Sequence, residues 1–272
     1  MREIIRMNRG SLEAYAKVMA TRSLDPIVTV LGHLRMSVLH EDESVVQWLR
    51  KEGIWESWVT LAAGRRVADL VAAKSPRVPK VLNIGANFGY YSLLFAALGA
   101  DVVAVEPQPR LAACIRQSTV LNGLEDRMRV VECVVGAAHG PATLRVPNRC
   151  LGGASLLPVG AHHADVLWDG AVVETTCEPL ADMPVADFIF VDAEGWEPHI
   201  FMPAEAFLKE HMPVVCLEFS PDMYDDPKAF ARWWTEIGYE TLLVEHDGSE
   251  RVVDLQQVTE QRMITMVPND KL

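Results

Sequence analysis

Basic residues are in short supply: 25 lysines and arginines face 37 aspartates and glutamates, a formal net charge of −12. Nucleic-acid binders gain most of their affinity from clustered Lys and Arg set against phosphates, so a DNA or RNA partner is not expected. No apolar run approaches the roughly 20 residues that a membrane-crossing helix needs. The first residues also lack the compact apolar stretch and small-residue cleavage site of a secretory leader. The expected setting is soluble and cytoplasmic, without a membrane partner. The cysteines are few and scattered: Cys114, Cys133, Cys150, Cys177 and Cys216 form no C-x-x-C pair. That set speaks for reduced thiols rather than a disulfide framework. Internal repeats and low-complexity tracts are absent as well.

What is present is a chain of 272 residues, half of them hydrophobic, long enough to bury one large core with an appendage. Its centre is Val81 to Gly89, VLNIGANFG, followed by the helical stretch Tyr90 to Phe95 and then Asp101 to Pro107, DVVAVEP. An apolar run that breaks into a glycine-spaced turn, then a helix, then a second apolar run reads as βαβ. Gly85 is expected to turn the backbone off the strand, and Gly89 to let the helix pack close to the sheet.

The second strand ends in Glu106, 21 residues after Gly85, where an acid can accept hydrogen bonds from both ribose hydroxyls. A nucleoside-bearing ligand follows. Dinucleotide sites use G-x-G-x-x-G, whereas this chain has G-x-x-x-G with Asn87 at the middle. A pyrophosphate, and with it a nicotinamide oxidoreductase, is therefore disfavoured.

Four separately placed motifs, Asn83-Ile-Gly-Ala-Asn-Phe-Gly89, Val105-Glu106-Pro107, Asp187 to Gly195 (DFIFVDAEG) and Glu218 on a later strand, resemble the FkbM-type S-adenosylmethionine-dependent methyltransferases. The resemblance spans roughly Glu41 to Pro268. It implies an α/β fold, a doubly wound, mostly parallel Rossmann-like sheet of about seven strands, and S-adenosyl-L-methionine as cofactor. It also implies cofactor contacts from Asn83, Gly85, Ala86, Asn87, Phe88, Gly89, Glu106, Pro107, Cys133 and Asp192. The family usually has Asp where this chain has Asn83, and Lys where it has Phe190. Asn83 keeps an acceptor oxygen but carries no charge.

Ligands of open α/β sheets bind beyond the carboxyl ends of the strands, which places Asp192 and Glu194 at the reaction centre. Methyl transfer from a sulfonium is an in-line displacement in which the acceptor's proton must leave to a base. Asp192 is the first candidate for contact with acceptor or methionine, and Glu194, His199 and Glu218 are the candidate bases. The resemblance favours a hydroxyl on a small-to-medium, natural-product or sugar-like acceptor. N-methylation of a peptide or amino compound is the alternative within the enzyme class. Outside it stands a non-catalytic nucleoside-binding module. No metal is called for: His162-His163 is expected to sit on an exposed loop, since adjacent side chains rarely converge on one ion.

Along the rest of the chain, residues 1–75 are expected to form a helical cap or lead-in and 76–272 the catalytic domain. Ser11 to Ala20 and Ile27 to Leu39 carry apolar residues suited to a lid or a homodimer arm. Helices are expected over Glu43 to Lys51 and Trp55 to Ala73, with Glu56 solvated and Trp48, Trp55 and Trp58 mainly in the core. One strand is expected over Met128 to Ala137, whose far end (Glu132, Cys133 or Val134) passes near the adenine. A hairpin over Gly140 to Pro158, with Ser155 on a loop over the site, comes next. Gly248 to Gln261 reads as an exposed connection.

Overall fold

The computed structural model describes residues 26–73, 77–156 and 170–271. Two short antiparallel strands, β1 (Ile27–Val30) and β2 (Leu34–Ser37), precede helices α1 (Val45–Glu52) and α2 (Ser57–Ala72). Next come β3 (Lys80–Ile84), α3 (Tyr90–Ala97), β4 (Asp101–Val105), α4 (Pro109–Leu121) and β5 (Met128–Val131). The chain then builds β6 (Val134–Gly136), β7 (Gly140–Val146) and β8 (Ala171–Pro179). It continues with β9 (Phe188–Val191), α5 (Glu197–Phe201), α6 (Glu205–His211) and β10 (Val214–Phe219). It ends with α7 (Pro227–Glu236), β11 (Tyr239–Val244), β12 (Glu250–Val252) and β13 (Arg262–Pro268).

The main sheet has eight strands in the order β12-β11-β13-β10-β9-β3-β4-β5. The run from β5 to β10 is parallel, and β13, β11 and β12 add antiparallel pairs at the other edge. Successive residues of the central strands face opposite sides, and both sides are apolar. Val81, Phe188 and Phe190 pack with α2, α3 and α4, while Leu82, Ile84, Ile189 and Val191 pack with α5, α6 and α7. Burial on both faces is why these strands read as nearly continuous apolar runs.

Helix α7 shows how local signals and packing agree. Asp226 accepts the Ala229 N–H at 2.8 Å and Pro227 opens the first turn, a cap plus a residue preset for helix. Phe230, Trp233 and Trp234, at spacings of three and four, are all buried, and each large ring removed from water contributes about 1.5–3 kcal/mol.

Several expectations change. The sheet gains an eighth strand, β12, inside the stretch read as an exposed connection, where Arg251 and Val252 pair with Leu243 and Leu242. The single strand expected over Met128 to Ala137 splits at Glu132-Cys133. Its first part stays beside β4, and its second joins β8 in a separate sheet of order β6-β8-β7. The partner of β7 is β8 rather than the far side of the Gly152-Gly153 turn, and the expected hairpin shrinks to one bridge, Arg145 to Ser155. Strand β8 has no fully buried residue, and its inner face of Val173, Thr175 and Cys177 is only half-buried, so alternation gave little sign of it. Within the lead-in, α1 and α2 fall where helices were expected, but Ile27 to Ser37 is not part of a helical cap: β1 and β2 form a hairpin whose turn holds Leu31 and Gly32 at φ 53° and 79°, the twist that short hairpins favour. Ser11 to Ala20 and His162-His163 lie outside the described residues.

Candidate active site

The chain leaves β5 for the small sheet and returns as β9 on the far side of β3. This reversal of strand order opens a crevice at the carboxyl ends of β3 and β9. The crevice is a cavity of about 200 Å³ with an open mouth, lined from both strand exits. Gly85 makes it possible. It sits at φ 74°, and a Cβ there would lie 1.8 Å from the Asp192 carbonyl oxygen, so the two strand exits touch backbone to backbone. The Gly85 and Ala86 N–H groups both donate to the Val105 carbonyl at 3.0 Å, and Asp192 N–H donates to Ile84 at 3.1 Å. Asn87 follows at φ 53°, a left-handed conformation that Asn tolerates better than most residues.

At one end of the cavity, Glu106 is buried and accepts the Asn87 N–H at 2.8 Å on one oxygen and the Gln108 N–H at 2.9 Å on the other. Burial nonetheless pushes its carboxyl up to about 7. One donor per oxygen leaves one lone pair on each for a ribose diol. Cys133, Val134 and Val135 line the same end. Glu132 does not, since it pairs with Arg116 at 2.5 Å.

A cover crosses this end. Leu151 donates its N–H to Asp42 at 2.9 Å and accepts the Gln108 side-chain N–H at 2.9 Å. Gly152 lies on Asn87, where a Cβ would come within 2.4 Å of the amide nitrogen. Ser155 donates to the Glu194 carbonyl at 3.3 Å. Asp42 also accepts the Ser44 and Val46 N–H groups at 3.1 Å, so the cover and the start of α1 share one anchor. Ser44, Val45 and Trp55 then supply a wall of the cavity from the lead-in segment.

At the other end, Asp192 and Glu194 line the cavity from the exit of β9. Burial, then the neighbouring charges of Glu218, Glu194, Glu56 and Glu197, hold Asp192 well above the usual carboxylate range, and Glu194 is raised for the same reasons. Glu218 is raised by burial while accepting from Gln261 at 2.5 Å and Ser220 at 3.2 Å. Glu56 differs from the solvated carboxylate expected: it is half-buried at φ 38° and accepts the Tyr91 hydroxyl at 3.1 Å. Sequence spacing gave no sign of this pair, because the two residues lie 35 apart on different helices.

Gly85, Asn87, Glu106, Pro107, Cys133, Asp192 and Glu194 thus come together on one cavity. Asn83, Ala86, Phe88 and Gly89 do not line it. Asn83 donates to Ser92 at 2.7 Å inside the core, and Ala86 and Phe88 are buried. Gly89 serves helix–helix contact instead of the helix–sheet contact expected, since a Cβ there would meet Ile115 of α4 at 3.0 Å. Glu218 is off the lining, near enough for its charge to act on Asp192. His199 is exposed and off the cavity lining, with its ring 3.9 Å from that of Trp196. Trp48 is exposed and Trp58 meets His246 edge-on at 5.3 Å. Among the described residues no group of three or more His, Cys, Asp or Glu is placed to hold a metal ion.

These carboxylates carry a stability cost with a definite sign. Glu106 and Glu197 both rise from an ordinary 4.5 to about 7 on folding. Between those values the folded state holds more protons than the unfolded one, so stability falls as pH rises through the window. The melting temperature of the free protein is expected to fall between about pH 5 and pH 8. A flat or rising profile there would mean that these groups ionise freely in the fold.

S-adenosylmethionine fits this cavity on three counts: a two-oxygen acceptor for a ribose, a buried Asn87 oxygen without a hydrogen-bond partner, and a concentration of carboxylates for a sulfonium and an ammonium. Fold and site together define a Rossmann-like methyltransferase. The Methyltransferase FkbM domain matches residues 83–246, more than half of the chain. The chain belongs to the FkbM methyltransferase family, whose methyl donor is S-adenosylmethionine. No curated protein matches the sequence significantly. Similar solved structures include Methyltransferase FkbM from Methylobacillus flagellatus, at 18% identity and a TM-score of 0.45, covering 70% of this chain and 43% of that one. A TehB-like SAM-dependent methyltransferase from Corynebacterium glutamicum is 16% identical, covers 78% of this chain and 95% of that one, and has a TM-score of 0.40. TYW2 from Pyrococcus horikoshii, solved with MeSAdo, is 14% identical, covers 99% and 86%, and has a TM-score of 0.44. The chain thus spans less than half the length of the Methylobacillus protein.

Proposed function

We propose that this protein transfers the methyl group of S-adenosylmethionine to a hydroxyl of a small-to-medium acceptor of natural-product or sugar-like type. The observation that carries the reading is the placement of Asp192 and Glu194 on the same cavity as Glu106, with the affinity of Asp192 for protons raised by burial and by Glu218. A general base works best when its pKa lies near the working pH, and a hydroxyl is the acceptor that most needs one. The cofactor, when bound, supplies an electrophilic methyl on sulfur. Glu106 holds the ribose, the Leu151–Gly153 cover excludes water from the nucleoside, and Asp192 takes the proton from the acceptor oxygen.

The lead-in belongs to this reading as a cap, residues 1–75, on a catalytic domain of 76–272. Ser44, Val45 and Trp55 supply its share of the cavity wall. The net charge of −12 favours a small-molecule or peptide acceptor over nucleic acid. Among the described residues no helix is long and apolar enough to cross a membrane. A second reading, N-methylation of an amine, draws support from the same carboxylates, which would attract an ammonium acceptor and accept its proton.

The test is methyl transfer from labelled S-adenosylmethionine across a panel of hydroxyl- and amine-bearing acceptors. With the best acceptor, Asp192→Asn is expected to lower turnover about 100-fold or more and to leave the cofactor dissociation constant within a few-fold. Equal losses in both would move Asp192 to the methionine end of the cofactor.

A further inference from the structure

Glu197 opens α5 with its side chain wholly buried, yet it does not line the cavity. One carboxylate oxygen accepts the Ala193 N–H at 2.9 Å, pinning the backbone between Asp192 and Glu194. The other accepts the Tyr224 hydroxyl at 3.0 Å. That same hydroxyl accepts the Ser220 N–H at 3.1 Å and lies 3.0 Å from the Glu218 carbonyl oxygen. The Tyr224 ring is fixed edge-on between Phe219 and Phe230.

One carboxylate therefore spans the exits of β9 and β10, the two loops that carry the acids of the transfer end. A Glu reaching back to a backbone N–H just before its own helix resembles a helix-start contact, for which one oxygen suffices. The second oxygen reaches a residue 27 positions away, and an apolar pair of the same volume would avoid the cost of burying a charge here.

We propose that Glu197, acting through Tyr224, is a positioning residue that sets Asp192 and Glu194 at a fixed spacing from Glu218. The groups facing Asp192 are Glu194 and Glu197 from its own loop and helix, Glu218 from β10, and Glu56 and Tyr91 from the α2–α3 side. Removing the Glu197 charge leaves fewer negative neighbours, so the remaining acids ionise at lower pH. The inference rests on the methyltransferase reading above.

The experiment is titration of the full chain with S-adenosylmethionine and S-adenosylhomocysteine between about pH 6 and pH 9, with thermal melts alongside. Wild type, Glu197→Gln and Tyr224→Phe are compared. Glu197→Gln keeps an acceptor for the Ala193 N–H and removes the charge. It is expected to bind S-adenosylmethionine near wild-type strength at high pH, with the midpoint of its pH dependence shifted down by about half a unit or more. Tyr224→Phe is expected to weaken binding about tenfold at every pH. If both variants melt earlier yet match wild type in affinity and pH midpoint, Glu197 is only a helix-start contact and the proposal is overturned. Wild type that binds neither nucleoside would remove the methyltransferase reading itself, and the proposal with it.

Discussion

Gly85→Ala is expected to remove detectable S-adenosylmethionine binding and to destabilise the fold by about 2–5 kcal/mol. Roughly 1–3 kcal/mol comes from overpacking and 1–2 from forcing a side chain into left-handed backbone. The added methyl would overlap the Asp192 carbonyl oxygen, and both groups are backbone at strand exits inside the parallel sheet, so no rotamer change relieves the clash. The β3 turn or the β9 exit must shift, and either shift moves an acid that faces the cavity. A fall in melting temperature on the order of 10 °C together with lost binding is the predicted result. A variant that melts and binds like wild type would show that these two exits do not touch, and the crevice would have to be redrawn.

Glu106→Ala is expected to weaken S-adenosylmethionine binding by about 10- to 150-fold, the equivalent of roughly 1.5–3 kcal/mol for hydrogen bonds to a charged group. The loss has two parts. The ribose acceptor disappears, and the N–H groups of Asn87 and Gln108, now held at 2.8 and 2.9 Å, lose the group that orients them. Glu106→Gln separates the two, because its amide keeps one acceptor for a backbone N–H and cannot serve both. Titration calorimetry should therefore order the affinities wild type, Gln, Ala. Unchanged affinity in a folded Ala variant would take the ribose away from this residue.

Much of the cavity was legible before the structure because its parts are local. Gly85, Asn87, Glu106, Asp192 and Glu194 each sit within a few residues of a strand exit, and strand exits can be read from apolar runs that break at small or acidic residues. The missing parts were those defined by distance along the chain. Glu56 and Tyr91 meet from two helices, Asp42 meets Leu151 across 109 positions, and no periodicity carries such pairings. Strand β8 escaped for a different reason: its inner face, Val173, Thr175 and Cys177, is only half-buried and mostly not apolar, so the alternation was too weak to read. His199, a candidate base by its place in sequence, lies exposed and off the cavity lining, because neighbourhood along the chain says nothing about which way a short helix turns its side chains. Gly89 was read correctly as a close-approach residue, and only the neighbour was misassigned.

The two hydrogen bonds on Leu151 join regions that sequence separation would keep apart. Its N–H is held by an acid at the start of the lead-in and its carbonyl by a side chain beside the ribose acceptor. The cover cannot swing clear alone: the first turn of α1 and the segment after β4 must loosen with it, and the three behave as one cooperative opening unit. A nucleoside held under the cover is then expected to leave at a rate that follows the joint stability of that unit. Substitutions at Asp42, which touches no part of the cavity's acids, are expected to change how quickly a nucleoside is released.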